Sequence, residues 1–231
     1  MFITDYPAML VDECVIITDL HLGMSKELLH AGVKIPNQAR RLAEKANRLQ
    51  QITKAKNLVI LGDIKHQIPS ISFAEVREVT EFLTSLKFKK IIIAKGNHDG
   101  NIEKLVKGLK NVSVRKSVTV GDYLLTHGHR NIDTSKKNIV IGHNHPNVKL
   151  VDDLGASYIM PCWVIGRVKL KNVHKLIIMP SFNDLTGMMI VNDSKYEHFN
   201  GPIAKRMEKD AARVYLQDGT SLGRIRDIMI K

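Results

Sequence analysis

Five short strings of aspartate, histidine and asparagine stand out in this chain: Asp19-Leu20-His21, Gly62-Asp63, Gly96-Asn97-His98-Asp99, His127-Gly128-His129 and Gly142-His143-Asn144-His145. Seven of the ten histidines fall in or beside them, namely His21, His66, His98, His127, His129, His143 and His145. Only His30, His174 and His198 lie outside. Together these side chains form a ligand set for two divalent ions. Two dications a few ångströms apart repel, so a carboxylate must bridge them, and Asp63 behind the tight Gly62 turn is the candidate. Neutral imidazoles and the Asn97 carboxamide complete the shells without adding so much negative charge that an anionic phosphate is repelled. Such a donor set suits Mn²⁺ best, with Fe²⁺, Ni²⁺ or Zn²⁺ as alternatives, and disfavours Mg²⁺ alone.

Taken singly, most of these residues have ordinary explanations. Asp19 and His21 alone would be turn or capping residues, and Gly62-Asp63 is a common strand-to-turn dipeptide. Their ligand role rests on company. The Gly96 to Asp99 and Gly142 to His145 strings are sharper, because nothing structural asks for histidine between turn-forming residues. His127 directly follows an apolar run, whereas His129 reads equally as a partner behind a ligand or as a surface residue.

The elements that must position these groups are legible. Cys14–Thr18, Asn57–Leu61, Lys90–Ala94, Asp122–Thr126 and Asn138–Ile141 are short apolar runs rich in β-branched residues, and each motif follows one of them. A ligand in the first turn after a strand is held by a rigid sheet yet open to solvent, so five such turns at one sheet edge can converge. Asn37 is a candidate cap for a helix whose Ala39, Leu42, Ala43, Ala46 and Leu49 share one face. Ser72 and Glu75 form a capping box before another. Strand and helix alternate up to residue 111, which predicts parallel crossovers; from Val112 short strands dominate, which predicts a second sheet packed on the first. The tail after Asn200 reads as a helix and then a hairpin joined at Asp218-Gly219. No repeat or low-complexity linker interrupts the 231 residues, and a single domain spanning 1–231 is expected.

The five strings resemble the motif series of the calcineurin-like metallophosphoesterase superfamily. That resemblance implies a four-layer α/β/β/α sandwich and metal-dependent hydrolysis of phosphate esters. It implies one ion on Asp19, His21, Asp63 and His145, and another on Asp63, Asn97, His127 and His143. It makes His98 a catalytic residue that protonates the leaving oxygen or stabilises the phosphoryl oxygens, with Asp99 holding its imidazole and a bridging hydroxide as nucleophile. Asp19-Leu20-His21-Leu22-Gly23 and Gly62-Asp63-Ile64-Lys65-His66 are similar to the repair-nuclease branch. Gly32–Pro36, Pro161–Trp163 and Pro180–Asn183 look more like the DNA-ligase-associated metallophosphoesterases and their archaeal relatives. The subgroup favours a phosphodiesterase, with a repair-type nuclease as the alternative. The role of His66 stays open. A catalytically silent scaffold on the same fold should have lost ligands or His98, and this chain keeps both.

Composition sets outer limits. No stretch of about 18 apolar residues occurs, so no membrane span is expected. The first ten residues carry Asp5 and no basic run, which argues against a signal peptide. Two cysteines make no disulfide framework, and a cytoplasmic location is expected. The net charge of +12 is concentrated around Ser85–Val120, where Lys87, Lys89, Lys90, Lys95, Arg115 and Lys116 lie on both sides of Gly96–Asp99. Such potential attracts a polyanion, so nucleic acid is a candidate partner; a solvated lysine-rich surface explains the same charge. Aromatic residues make up only 5%, which weakens the case for a base-stacking platform.

Overall fold

In the computed structural model, which describes residues 1–230, the alternation of strand and helix produces a five-stranded sheet with two helices on its outer face. Strands β1 (Met9–Val11), β2 (Cys14–Ile17), β3 (Asn57–Ile60), β4 (Lys90–Ala94) and β5 (Val112–Arg115) lie in that order, antiparallel at β1/β2 and parallel thereafter. The connections hold α1 (Met24–His30), α2 (Gln38–Thr53), α3 (Phe73–Ser85) and the short α4 (Ile102–Val106). Asn37 caps α2 by accepting from the Arg40 amide, and Ser72 with Glu75 closes the expected capping box on α3.

The second sheet has nine strands. Its main path runs β12 (Met189–Ile190), β9 (Pro146–Val151), β10 (Ser157–Gly166), β11 (Lys175–Ile178), β8 (Asn138–Ile141), β7 (Tyr123–Leu125) and β6 (Val118–Val120). The hairpin β13 (Arg213–Leu216) and β14 (Ser221–Arg224) joins through β10, its turn falling at Asp218-Gly219 as expected. Within this sheet β7, β8 and β11 are mutually parallel.

Period-two alternation decides which side chains enter which layer. Val15, Ile17, Leu58, Ile60, Ile91 and Ile93 face outward onto Leu42, Ala46 and Leu49 of α2 and Val79, Phe82 and Leu83 of α3. Their neighbours Ile16 and Val59 face inward and meet Leu125, Val140, Trp163 and Ile177 of the second sheet. Burying each such aliphatic side chain contributes about 1.5–3 kcal/mol, so register is fixed by both faces. The indole of Trp163 stacks on Phe2 with ring centroids 4.2 Å apart and ties the N-terminal segment to the inter-sheet core. Cys14 and Cys162 are buried free thiols.

The outer face of the second sheet departs in detail from the α/β/β/α expectation. Its fourth layer is built from short 3-10 helices at Ala204–Arg206, Lys209–Ala211 and Ile225–Asp227. The helix expected after Asn200 is therefore broken into single turns. Ile203, Ala204, Met207 and Ala212 each insert into the sheet's apolar face.

Candidate metal centre

The motif turns project from the carboxyl ends of β2, β3 and β4 in one sheet and of β7 and β8 in the other. The expectation of a single sheet edge is thus corrected: the site lies where the edges of two packed sheets meet. Backbone hydrogen bonds lock the turns together. Asp19 N donates to Gly62 O, His21 N to Asp63 O, and Phe182 N to Thr18 O.

Five of the seven expected ligands, Asp19, His21, Asp63, His143 and His145, have φ between 42° and 69°. Left-handed backbone at non-glycine residues is uncommon and costs about 1–3 kcal/mol, so it persists only where surroundings over-determine it. Two glycines permit this compression. At Gly62 (φ 76°) a Cβ would stand 2.6 Å from Gly96 Cα and 2.7 Å from His127 Nδ1, and at Gly96 it would collide with the Asp63 carboxylate.

Two ligand groups result. Asp19, His21 and His145 bring one donor atom each within ion-binding reach, and so do Asp63, His127 and His143. Asn97 Oδ1 lies 3.1 Å from His127 Nε2 and joins the second group. Asp63 Oδ2 sits between the two, 3.2 Å from His127 Nε2 and 3.8 Å from His21 Nε2. Its other oxygen accepts from His98 N at 2.9 Å, which fixes the carboxylate plane.

Partners behind the ligands select tautomers. His127 Nδ1 donates to Leu61 O at 2.7 Å and His145 Nδ1 donates to Gly187 O at 2.9 Å, so in each ring Nε2 is the atom that faces the site and would take a metal ion in place of a proton. Glu27 does the same for His21 through an intermediary. Its carboxylate, 3.0 Å from His66 Nε2, can only accept, which leaves His66 Nδ1 to accept from His21 Nδ1 at 3.2 Å. His66 thereby gains a role that the sequence left open, and Glu27 is a residue that sequence reasoning missed. His21, His66 and His98 also form a third group with donor atoms in mutual reach.

Electrostatics favour cations here. Among the described residues His21 Nε2 is buried with no hydrogen-bond partner, and His145 Nε2 is buried with only the Asp19 carboxylate near it, at 3.3 Å, an arrangement that costs free energy unless a ligand meets them. Burial drives His21 down to about 3 and His143 to about 4, so both present neutral imidazole at neutral pH. Burial opposes the charged form of His127, yet the hydrogen bond and charge of Asp63 raise it to about 9. Asp19 and Asp63 are held below the usual carboxylate range: burial works against this, but His145 next to Asp19 and His127 next to Asp63 outweigh it. Two buried carboxylates that draw protons onto neighbouring imidazoles will draw metal cations in their place. The residues present fit a two-ion centre.

One expected contact is corrected. Asp99 does not hold the His98 imidazole. Its buried carboxylate accepts from Asp63 N and Gly96 N at 2.8 Å and from Ile64 N at 2.9 Å, tying the third motif to the second. These partners are all backbone amides, and among the described residues no hydrogen bond joins Asp99 to the His98 ring. The His98 ring is held instead by His66 O, to which Nδ1 donates. Two further residues behind the site carried no chemical signal in sequence: Ser181 Oγ bonds Asp19 O and Asn183 Nδ2 bonds Leu20 O, each at 2.8 Å. His129 stays behind the ligands, its ring centroid 5.3 Å from that of His127. Lys87, Lys89 and Lys90 sit at the opposite end of β4 from Gly96, roughly 15 Å or more from the site. They do not charge the catalytic face as expected; Lys95, Arg115 and Lys116, at the carboxyl ends of β4 and β5, do.

The profile of the calcineurin-like phosphoesterases matches residues 14–207. No curated protein matches the sequence. Among solved structures the chain is similar to the nuclease MPE of Pseudomonas putida, at 20% identity and a TM-score of 0.56, with 91% of this chain and 88% of that one covered. It is similar also to Yfce, a phosphoesterase from E. coli, at 17% identity and a TM-score of 0.42, over 91% and 97% of the two chains. The likeness to the nuclease concerns the fold. With the profile covering most of its length, the chain belongs to the calcineurin-like phosphoesterase family and is a hydrolase of phosphate esters.

Proposed function

We propose that the chain is a two-metal phosphodiesterase acting with manganese, formed as one domain over residues 1–231 and working in the cytoplasm. The observation that carries this reading is the place of Asp63 Oδ2 between two separate ligand groups, within 3.8 Å of a histidine nitrogen in each. Asp19, His21, Asp63 and His145 would hold one ion, and Asp63, Asn97, His127 and His143 the other. When bound, two such ions supply Lewis acidity toward the phosphoryl oxygens and a water of lowered pKa for in-line attack.

The remaining work falls to the chain's own residues. His98 Nδ1 is committed to His66 O, so its Nε2 is the atom left to meet substrate; protonated, it donates to the leaving oxygen or a phosphoryl oxygen. Asp99 fixes the backbone that carries His98 and acts as a positioning residue rather than a catalytic one. An alkoxide leaving group, from either ester class, needs a proton, and a histidine donor provides it. Among the described residues no helix is long and apolar enough to cross a membrane.

A second reading, a repair-type nuclease, is favoured by the charge of +12 and by the cationic side chains at the site edge, and it agrees with the fold shared with a nuclease. Steady-state hydrolysis of bis-p-nitrophenyl phosphate and p-nitrophenyl phosphate with added Mn²⁺ separates the ester classes. The diester should be cleaved with the higher kcat/KM, and EDTA should abolish both reactions. Preference for the monoester would overturn the diesterase reading.

A further inference from the structure

A cavity of about 450 Å³ opens beside the metal centre, between the carboxyl ends of β4 and β5 and the loop that follows β7. Its wall toward the metal centre is His129, whose ring centroid lies 5.3 Å from that of His127 and 6.3 Å from that of His143. Arg115 and Lys116 come from the end of β5, and Arg130 from the loop opposite. None of these three has a carboxylate within salt-bridge distance among the described residues. The one acid in the cavity, Glu103, is already joined to Lys95 at 2.7 Å.

We propose that this cavity is a second phosphate subsite, which binds a phosphate group next along the substrate from the ester being cleaved. The inference rests on the phosphoesterase reading and sharpens its substrate class: an oligonucleotide, or a diester bearing a further phosphate, in place of an isolated small diester.

Three observations carry it. Like charges gathered from two separate elements repel one another, and an anion seated among them offsets that repulsion. Two of the three are arginines, whose planar forks match phosphate oxygens in pairs. Among the described residues both ring nitrogens of His129 lack a hydrogen-bond partner, although one of them carries an N–H in either tautomer. They are closed to solvent in this rotamer, and a turn of the ring toward the cavity that its carbons line would give that N–H a phosphate oxygen as acceptor. The cavity's nearness to His127 and His143, across the His129 ring, places such a group beside the ester that the metal centre attacks.

The test compares wild type with the Arg115→Ala/Arg130→Ala double variant, both positions being exposed so that folding is not at stake. The substrates are bis-p-nitrophenyl phosphate, an unphosphorylated dinucleotide, the same dinucleotide with a 5′- or 3′-terminal phosphate, and a trinucleotide. Expected is a rise in KM of about tenfold for the trinucleotide and for one phosphorylated dinucleotide, with kcat/KM for the two singly charged diesters within about twofold of wild type. A loss for the trinucleotide alone also supports the subsite and restricts it to a diester within a chain. Equal losses on every substrate, or none on any, overturn it. The double variant Lys87→Ala/Lys89→Ala, exposed and at the opposite end of β4 from the site, controls for net charge.

A second arm needs no catalysis. Binding of a fluorescent single strand of about ten nucleotides is followed against salt in EDTA, and the double variant should lower the salt slope by about 1.4, two contacts at ~0.7 each. Unchanged slopes overturn the subsite. If wild type cleaves no ester with any metal while the slopes still differ, the phosphoesterase reading fails and the anion site stands.

Discussion

Histidine tautomers are where this site is decided at the scale of single residues. His127 and His145 lean on backbone carbonyls, whereas His21 leans on His66 and, through it, on Glu27. Glu27→Gln keeps the size of the side chain but can donate as well as accept, so His66 no longer has a fixed tautomer. We expect the affinity for the ion on His21 to fall about 10- to 100-fold, the usual effect of removing a partner behind a ligand. Titration calorimetry with Mn²⁺ checks this, and two unaltered binding steps would contradict it. His98→Ala should leave both binding steps in place and lower kcat for the diester by about 10²–10⁴. Metal loss in that variant would make His98 a ligand in the group it forms with His21 and His66. The motif residues were legible in sequence because their types answer a chemical need at fixed places after strands. Glu27, Ser181 and Asn183 were not, since one hydrogen bond across a fold leaves no trace in spacing. Asp99 was misread for the same reason: adjacency to His98 in sequence proved to be no contact between their side chains.

At the scale of elements, the loop after β11 straps the first metal turn to α2. Arg41 Nη1 and Lys45 Nζ reach Asp184 at 2.9 and 3.2 Å, and Lys45 also bonds Phe182 O at 3.0 Å. The same loop supplies Ser181 and Asn183 beneath Asp19 and Leu20. Partial burial would raise the Asp184 carboxyl, but Arg41 and Lys45 outweigh it and hold the group below its ordinary range. A depressed pKa stabilises the fold above the unfolded value, and that contribution is lost as pH falls through the folded value. Because the carboxylate is 55% exposed, solvent screening limits it to about 1 kcal/mol or less. Asp184→Asn should therefore cost that much in urea unfolding near pH 6, and the difference from wild type should vanish well below pH 4. A difference that persists in acid would assign the role to shape and not to charge. The strands and the two capped helices were legible because period two and capping are local signals. The 3-10 layer was not, because only the apolar face of the second sheet tells Ile203, Ala204, Met207 and Ala212 where to sit.

For the whole molecule, the packing of two sheets is what brings the two ligand groups together. The first sheet brings Asp19, His21, Asp63 and Asn97, the second brings His127, His143 and His145, and the inter-sheet core around Trp163 sets the gap between them. Sequence indicated that these turns would converge but assigned them to one edge, since strand order alone does not reveal which sheet a strand joins. It likewise read Lys87 to Lys90 as neighbours of the site, although strand direction puts them at the far end. The central claim is that Asp63 bridges two ions, and Asp63→Asn tests it most directly. A neutral amide offers one oxygen and no charge, so the purified variant, loaded with excess Mn²⁺ and desalted, should retain at most about one ion per chain by elemental analysis and hydrolyse bis-p-nitrophenyl phosphate at least ~10³-fold more slowly. Two ions per chain with wild-type turnover would contradict the account.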